Sequence, residues 1–223
     1  MMPDKNQIFI TGVFGLLASI IVGIGEFFLH YSPNIVGNAE NYQFFQFVSK
    51  ENLITGHFIA VFAIPFYFLG YFHIYKMLEK GNKKLASIVF GLGILAFTIG
   101  GFWITSRAFL GTIIHLQKNI DTEIYQKIIN NYSLISESLV QGLRVIILLL
   151  SVFFVIAILK GGTYYKKWMA IFNPIVLLLS VFAVYFISPE IGKYLAPIAM
   201  NVVHFILFSL SLYQFKKINQ SAL

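Results

Sequence analysis

The sequence predicts an all-α polytopic membrane protein: one domain over residues 1–223, built as a six-helix transmembrane bundle with both termini on the cytoplasmic side. Three observations predict it. Of the 223 residues, 58% are hydrophobic and 11% charged, whereas soluble domains carry roughly a quarter charged residues. The apolar residues fall into runs close to the ~20 residues that a bilayer core requires. Lysine alternates strongly from one inter-span connection to the next.

The spans are expected at about residues 8–30, 53–75, 85–107, 134–159, 168–187 and 195–215, the third ending between Arg107 and His115. The first has too long an apolar run for a cleaved signal peptide, and no A-x-A-like site follows it, so it is read as a true span. Connections 31–52 and 116–133 contain "YQFFQFV" and "IYQKII" and are expected to be loops or short interfacial helices. Pro65 and Pro174 fall inside spans two and five, where each should free a carbonyl and kink its helix. One set of span ends holds ten lysines: Lys5, Lys76, Lys80, Lys83, Lys84, Lys160, Lys166, Lys167, Lys216 and Lys217. The other set holds four: Lys50, Lys118, Lys127 and Lys193. The lysine-rich set is therefore cytoplasmic.

This distribution also explains the net charge of +7, so no nucleic-acid partner is expected. The chain has no cysteine, which excludes disulfides, thiolate metal sites and thiol redox chemistry. No Walker loop, Rossmann fingerprint or nucleophile elbow is present, and no cofactor is expected.

The stretch "IIVGIGEFFLHYSP" puts a carboxylate, Glu26, into a run of hydrocarbon. Ionisable groups in spans are costly, at about 2.5–3.5 kcal/mol when unpaired at mid-bilayer, and they mark pairs or functional sites. The others are His30, His57, His73, Arg107, His115, Glu137, Arg144 and His204, and the topology puts all but His73 in the outer half. His73 is read as interfacial at the cytoplasmic boundary, and His30 and His115 as lying at the outer headgroup level. Tyr75, Tyr164, Tyr165, Trp168 and Tyr213 fit an inner aromatic belt. Small or polar residues recur with helical spacing. Thr11, Gly15, Ser19 and Gly23 lead to Glu26, and Ala86, Gly93 and Gly100 lead to Arg107. Glu137, Gln141, Arg144 and Ser151 share one face of span four; Tyr194, Pro197, Asn201, His204 and Ser211 share one face of span six. Such stripes face neighbouring helices. Helical side chains lean toward their own N-terminus, so Glu26 and Arg107 lean inward and His57, Arg144 and His204 lean to meet them. Glu26 and Arg144 form the expected ion pair. Spans one, two, three, four and six wall the site, and span five is peripheral.

The candidate ligand-binding or proton-relay residues are therefore Glu26, His57, Arg107, Glu137, Gln141, Arg144, Asn201 and His204. Three function classes follow. The first is binding or transport of a small or amphipathic, anionic ligand, with Arg107 and Arg144 as anchors. The second is an intramembrane enzyme acting on a lipid or isoprenoid through Glu26 and a histidine. In the third, a non-catalytic accessory or sensor protein, two acids and two arginines only fix helix register. Glu26, His57 and His204 match in number the ligands of a catalytic zinc, but no two share a helix at metal-binding spacing, so no metal is assigned. Membrane lipids are the expected surroundings, with a small molecule or lipid as ligand.

The six-span layout and the lysine-rich turn "YKMLEKGNKKLASIVFG" between spans two and three resemble uncharacterised families of small bacterial integral membrane proteins. The resemblance implies a bacterial cytoplasmic membrane and no particular activity. Labelling intact cells from outside with an impermeant reagent should leave the turns at Lys80–Lys84 and Lys160–Lys167 unmodified; modification there would reverse the orientation.

Overall fold

The computed structural model describes residues 5–33 and 40–220, and every regular element among them is helical. α1 (Lys5–His30), α2 (Lys50–Leu78), α3 (Lys83–His115) and α4 (Thr122–Lys160) are long and apolar enough to cross a membrane. So is the broken helix at Pro189–Gln220. α5 (Pro174–Ile187) precedes that break, which divides the last helix into α6 (Pro189–Leu195) and α7 (Ala199–Gln220) around a 3-10 turn at Ala196–Ile198. Starts follow local chemistry: Ser49, Asn82, Asp121 and Asn173 each accept a bond from an amide two or three residues ahead, the usual role of short polar N-caps.

Two span expectations are corrected. Residues 168–187 do not form one helix: a 3-10 segment (Lys167–Phe172) comes first, and α5 has 14 residues. At 1.5 Å per residue α5 alone is about 21 Å long, short of a ~30 Å hydrocarbon core. Pro174 is the first residue of α5, a position where its missing N–H leaves no bond unmade, so it starts a helix and does not kink one. Connection 116–133 is largely the opening turns of α4, capped by Asp121. The "YQFFQFV" connection contains a 3-10 helix, Glu40–Phe47; its residues 34–39 lie outside those described.

The lysine-rich ends gather at one end of the bundle. The Tyr164 amide donates to the Met77 carbonyl (3.0 Å), Gln214 Nε2 to the Tyr164 carbonyl (2.9 Å), and His73 Nδ1 to the Ile8 carbonyl (2.8 Å). At the far end the 3-10 helix buries Phe45 against α3, and His115 Nε2 donates to the Val48 carbonyl (2.8 Å).

α1 and α2 form the closest seam. A Cβ built on Gly15 would stand 2.6 Å from the Cα of Gly70, and one on Gly25 would stand 2.6 Å from Gly56 O and Ala60 N. The obstacles are backbone atoms and cannot swing away, so both crossings need glycine. This is the close approach that small residues permit where no hydrophobic drive between helices exists. Gly25→Val should therefore destabilise the protein by about 1–3 kcal/mol, seen as a lower melting temperature in detergent. Gly91→Ala, whose Cβ meets nothing within 4 Å, should cause no loss.

Candidate functional site

Three buried polar residues on one face of α7, Asn201, His204 and Ser211, meet partners on α2, α1 and the segment after α4. At the first level Tyr67 Oη donates to Asn201 Oδ1 (2.7 Å), and Asn201 Nδ2 donates to the Glu26 carboxylate. At the second, His204 Nδ1 donates to the Met200 carbonyl (2.7 Å). Since a carbonyl only accepts, the neutral ring keeps a lone pair on Nε2, which takes the Tyr71 hydroxyl proton at 2.8 Å. At the third, His73 Nδ1–H is used by Ile8, so Nε2 accepts from Ser211 Oγ (2.7 Å), which in turn accepts from Tyr165 Oη (2.6 Å). Phe97 closes the middle of this ladder, its ring 3.6 Å from Tyr67 and 4.8 Å from His204.

Above the ladder lies a cavity of about 480 Å³. Its wall is almost entirely aliphatic and aromatic, including Val22, Ile104, Leu143 and Leu178, and its polar side chains are Glu26, Asn201 and Arg144 with the indole of Trp103. Arg144, Leu179 (63% exposed) and Phe182 (39% exposed) line it and are also exposed, so its mouth lies between α4 and α5. Glu26 is 8% exposed, an acid set in a greasy wall with one amide for a partner.

Arg107 occupies a different environment. Its guanidinium carbon is 4.8, 5.6, 5.0 and 5.3 Å from the ring centres of Tyr42, Phe44, Phe45 and Trp103, a cation surrounded by π faces. Tyr42 Oη donates to Glu137 Oε1 at 2.5 Å. Burial first, and then this bond to the Glu137 carboxylate, raise the Tyr42 phenol above its ordinary value, so it stays a donor. Tyr42 adopts a φ of 63°, which costs a bulky residue about 1–3 kcal/mol. Its bond to Glu137 and its packing on Arg107 hold that turn in place.

The structure thus brings together Glu26, Asn201 and Arg144 around one cavity, and links Arg107 to Glu137 through Tyr42. His204 lies directly below, but both its ring nitrogens are engaged in the ladder. Gln141 is exposed and lines neither cavity. His57 is half-buried beside Phe58 and lines neither cavity as well. The expected Glu26–Arg144 ion pair is corrected: Glu26 takes the nearer amide of Asn201, and the ion pairs among the described residues are Lys76–Glu79, Lys127–Glu123 and Lys193–Glu190. The three-ligand set Glu26, His57 and His204 does not assemble, and no group of three metal-binding side chains occurs among the described residues.

His73 is fully buried, not interfacial, because its ring ties α2 to α1 and α7. Tyr165 leaves the expected aromatic belt for the same ladder. The His30 ring lies beneath the surface, stacked on Trp103 at 5.5 Å. The fifth hydrophobic segment is not peripheral, since Ile175, Leu178, Leu179 and Phe182 form one cavity wall. Reading only ionisable groups missed Tyr67, Tyr71 and Tyr42. Two tyrosines four residues apart in mid-span, far from any headgroup belt, were the available signal.

Fold and site together define a helical membrane protein enclosing an apolar cavity with a few polar groups. The chain belongs to DUF6796, a family of unknown function, whose profile matches residues 2–217. No curated protein and no solved structure matches it.

Tyr71→Phe leaves His204 Nε2 buried without a donor and should lower stability by about 1–3 kcal/mol, measured by thermal unfolding in detergent. Tyr42→Phe should cost about 1 kcal/mol or less, because the exposed Glu137 carboxylate can turn to water.

Proposed function

We propose that this protein crosses the bacterial cytoplasmic membrane six times, with both termini inside, and binds or transports a small or amphipathic anionic ligand in a pocket in its outer half. One observation carries the reading: a cavity of about 480 Å³ with an aliphatic wall, a carboxyl–amide pair at one side and an arginine at its mouth. Ligand pockets measure about 300–1,000 Å³ and combine an apolar lining with a few placed polar groups. Arg144 makes no hydrogen bond or ion pair among the described residues, so its charge is available to an anion. The mouth between α4 and α5 has an apolar rim, which suits an amphiphile arriving sideways from the bilayer.

The sixth crossing is supported by length. Six 3-10 residues (Lys167–Phe172) and 14 α residues (Pro174–Ile187) would together rise about 33 Å at 2.0 and 1.5 Å per residue if they run on in one direction through the extended Asn173, enough for the hydrocarbon core. Orientation follows from lysine-rich turns that meet at one end of the bundle.

Native mass spectrometry of the gently purified protein tests the reading. An amphipathic molecule should remain bound. Gly100 lines the cavity, and a Cβ there meets nothing within 4 Å, so Gly100→Phe should fill the space and expel that molecule without unfolding the chain. Arg144→Gln should weaken its retention. Wild-type protein free of any such molecule, or equal retention by Gly100→Phe, would contradict the reading. Glu26→Gln separates a structural acid from a functional one. A structural acid lowers only the melting temperature; a functional one loses ligand while the fold remains.

A further inference from the structure

Glu26 is buried, at 8% exposure, yet half of its carboxyl group is unused. Oε2 accepts from Asn201 Nδ2, and no residue among those described bonds to Oε1. Five side-chain atoms among the described residues are both buried and unpartnered, on His30, His57, Trp103, Arg107 and Ser136, and Oε1 is not one of them. An oxygen that has no partner and is not sealed off keeps accessible surface. Glu26 lines the cavity of about 480 Å³, so Oε1 faces that cavity.

Buried polar atoms are nearly always paired, so this oxygen calls for a partner that enters the cavity. Three kinds could supply it. A lone water is held by about two to four polar partners; here it would find Oε1 and the Asn201 amide, and otherwise a wall of residues such as Val22, Ile104, Leu143 and Leu178. An ammonium group would share the cavity with the like charge of Arg144. A hydroxyl both donates and accepts, so it bonds Oε1 whether the carboxyl group is ionised or protonated. The hydroxyl fits best. Its place on the guest follows from the helices. α1, which carries Glu26, packs chiefly against α2 and α7, whereas Arg144 stands at the mouth between α4 and α5.

We infer that the guest is a hydroxylated anionic amphiphile. Its anionic group sits at Arg144, its hydrocarbon chain lies along the apolar wall, and a hydroxyl remote from the head bonds Glu26 Oε1. An unsubstituted chain would bury Oε1 with no partner at all, which costs binding. The site thereby reads both ends of the guest, its charge at the mouth and its hydroxyl at α1. The inference rests on the ligand-binding reading of this cavity and adds the second polar group that the guest carries.

The chain contains two tryptophans, so Trp168→Phe leaves Trp103, in the cavity wall, as the sole indole reporter. This protein, in phosphatidylcholine nanodiscs, is titrated with ω-hydroxydodecanoate and ω-hydroxyhexadecanoate and with the unsubstituted acid of each length. Affinities are referred to the free aqueous acid. At one length or both, the hydroxy acid should bind at least about fivefold tighter than its plain counterpart. Arg144→Gln should weaken both members of a pair alike, and Glu26→Leu should abolish the preference. Trp103 also borders a second cavity, of about 690 Å³, at the far end of the bundle, so Gly100→Phe is the control and should abolish the signal. Hydroxy acids that bind no tighter than the plain acids at either length would overturn the inference. So would a preference that survives in folded Glu26→Leu; if that variant does not fold, the wild-type comparison decides alone. Either result leaves the cavity reading intact provided the plain acids bind saturably and Gly100→Phe abolishes their binding. No saturable binding by any of these acids would remove both.

Discussion

Everything else in the bundle depends on one constraint: a polar group taken into hydrocarbon must find its partner within the protein. The levels at Asn201, His204 and Ser211 meet it by joining α7 to α2, with Glu26, Ile8 and Tyr165 drawn in from α1 and the segment after α4. The neighbouring α1–α2 seam is closed by other means, the close backbone approach at its glycine crossings. Together these contacts fix one side of the bundle. The cavity opens toward the other side, where α4 and α5 form its mouth.

That asymmetry shapes the site. On the fixed side, Glu26 and Asn201 are held in place by Tyr67. At the mouth stand Arg144 and the apolar residues of α5. An acid and an arginine lining one cavity, not bonded to each other, leave space and charge for a guest. An ion pair would have closed that space. At the far end, aromatic rings surround the Arg107 guanidinium, and its buried Nε–H has no partner among the described residues.

Hydropathy made the long helices legible, because a span needs a contiguous apolar run and nothing else in the sequence produces one. Helical spacing made the interior faces of α1 and α7 legible, but not that of α4, where Glu137, Gln141 and Arg144 are exposed and Ser151 alone of that stripe is buried. Asn201, His204 and Ser211 are buried on the face where their periodicity puts them, and Thr11, Gly15, Ser19 and Gly23 line the interior of α1. Pairing was not legible. Depth and lean suggested Arg144 for Glu26, but the nearer Asn201 takes that place, and a neutral amide gives no charge signal in a sequence. The same limit hid Tyr67 and Tyr71, whose hydroxyls meet Asn201 and His204. The short α5 was missed for another reason: a 3-10 lead-in and an α-helix share one hydropathy profile, and only Pro174 marks where one becomes the other.

The bond between Glu26 and Asn201 joins the cavity to the ladder, and a double-mutant cycle tests it most directly. Thermal unfolding would be measured for wild type, Glu26→Leu, Asn201→Leu and the pair. If the two side chains are bonded inside the bundle, the double variant should lose less stability than the two single losses combined, by about 1 kcal/mol or more. Losses that add within about 0.5 kcal/mol would show two independent residues and contradict the central contact.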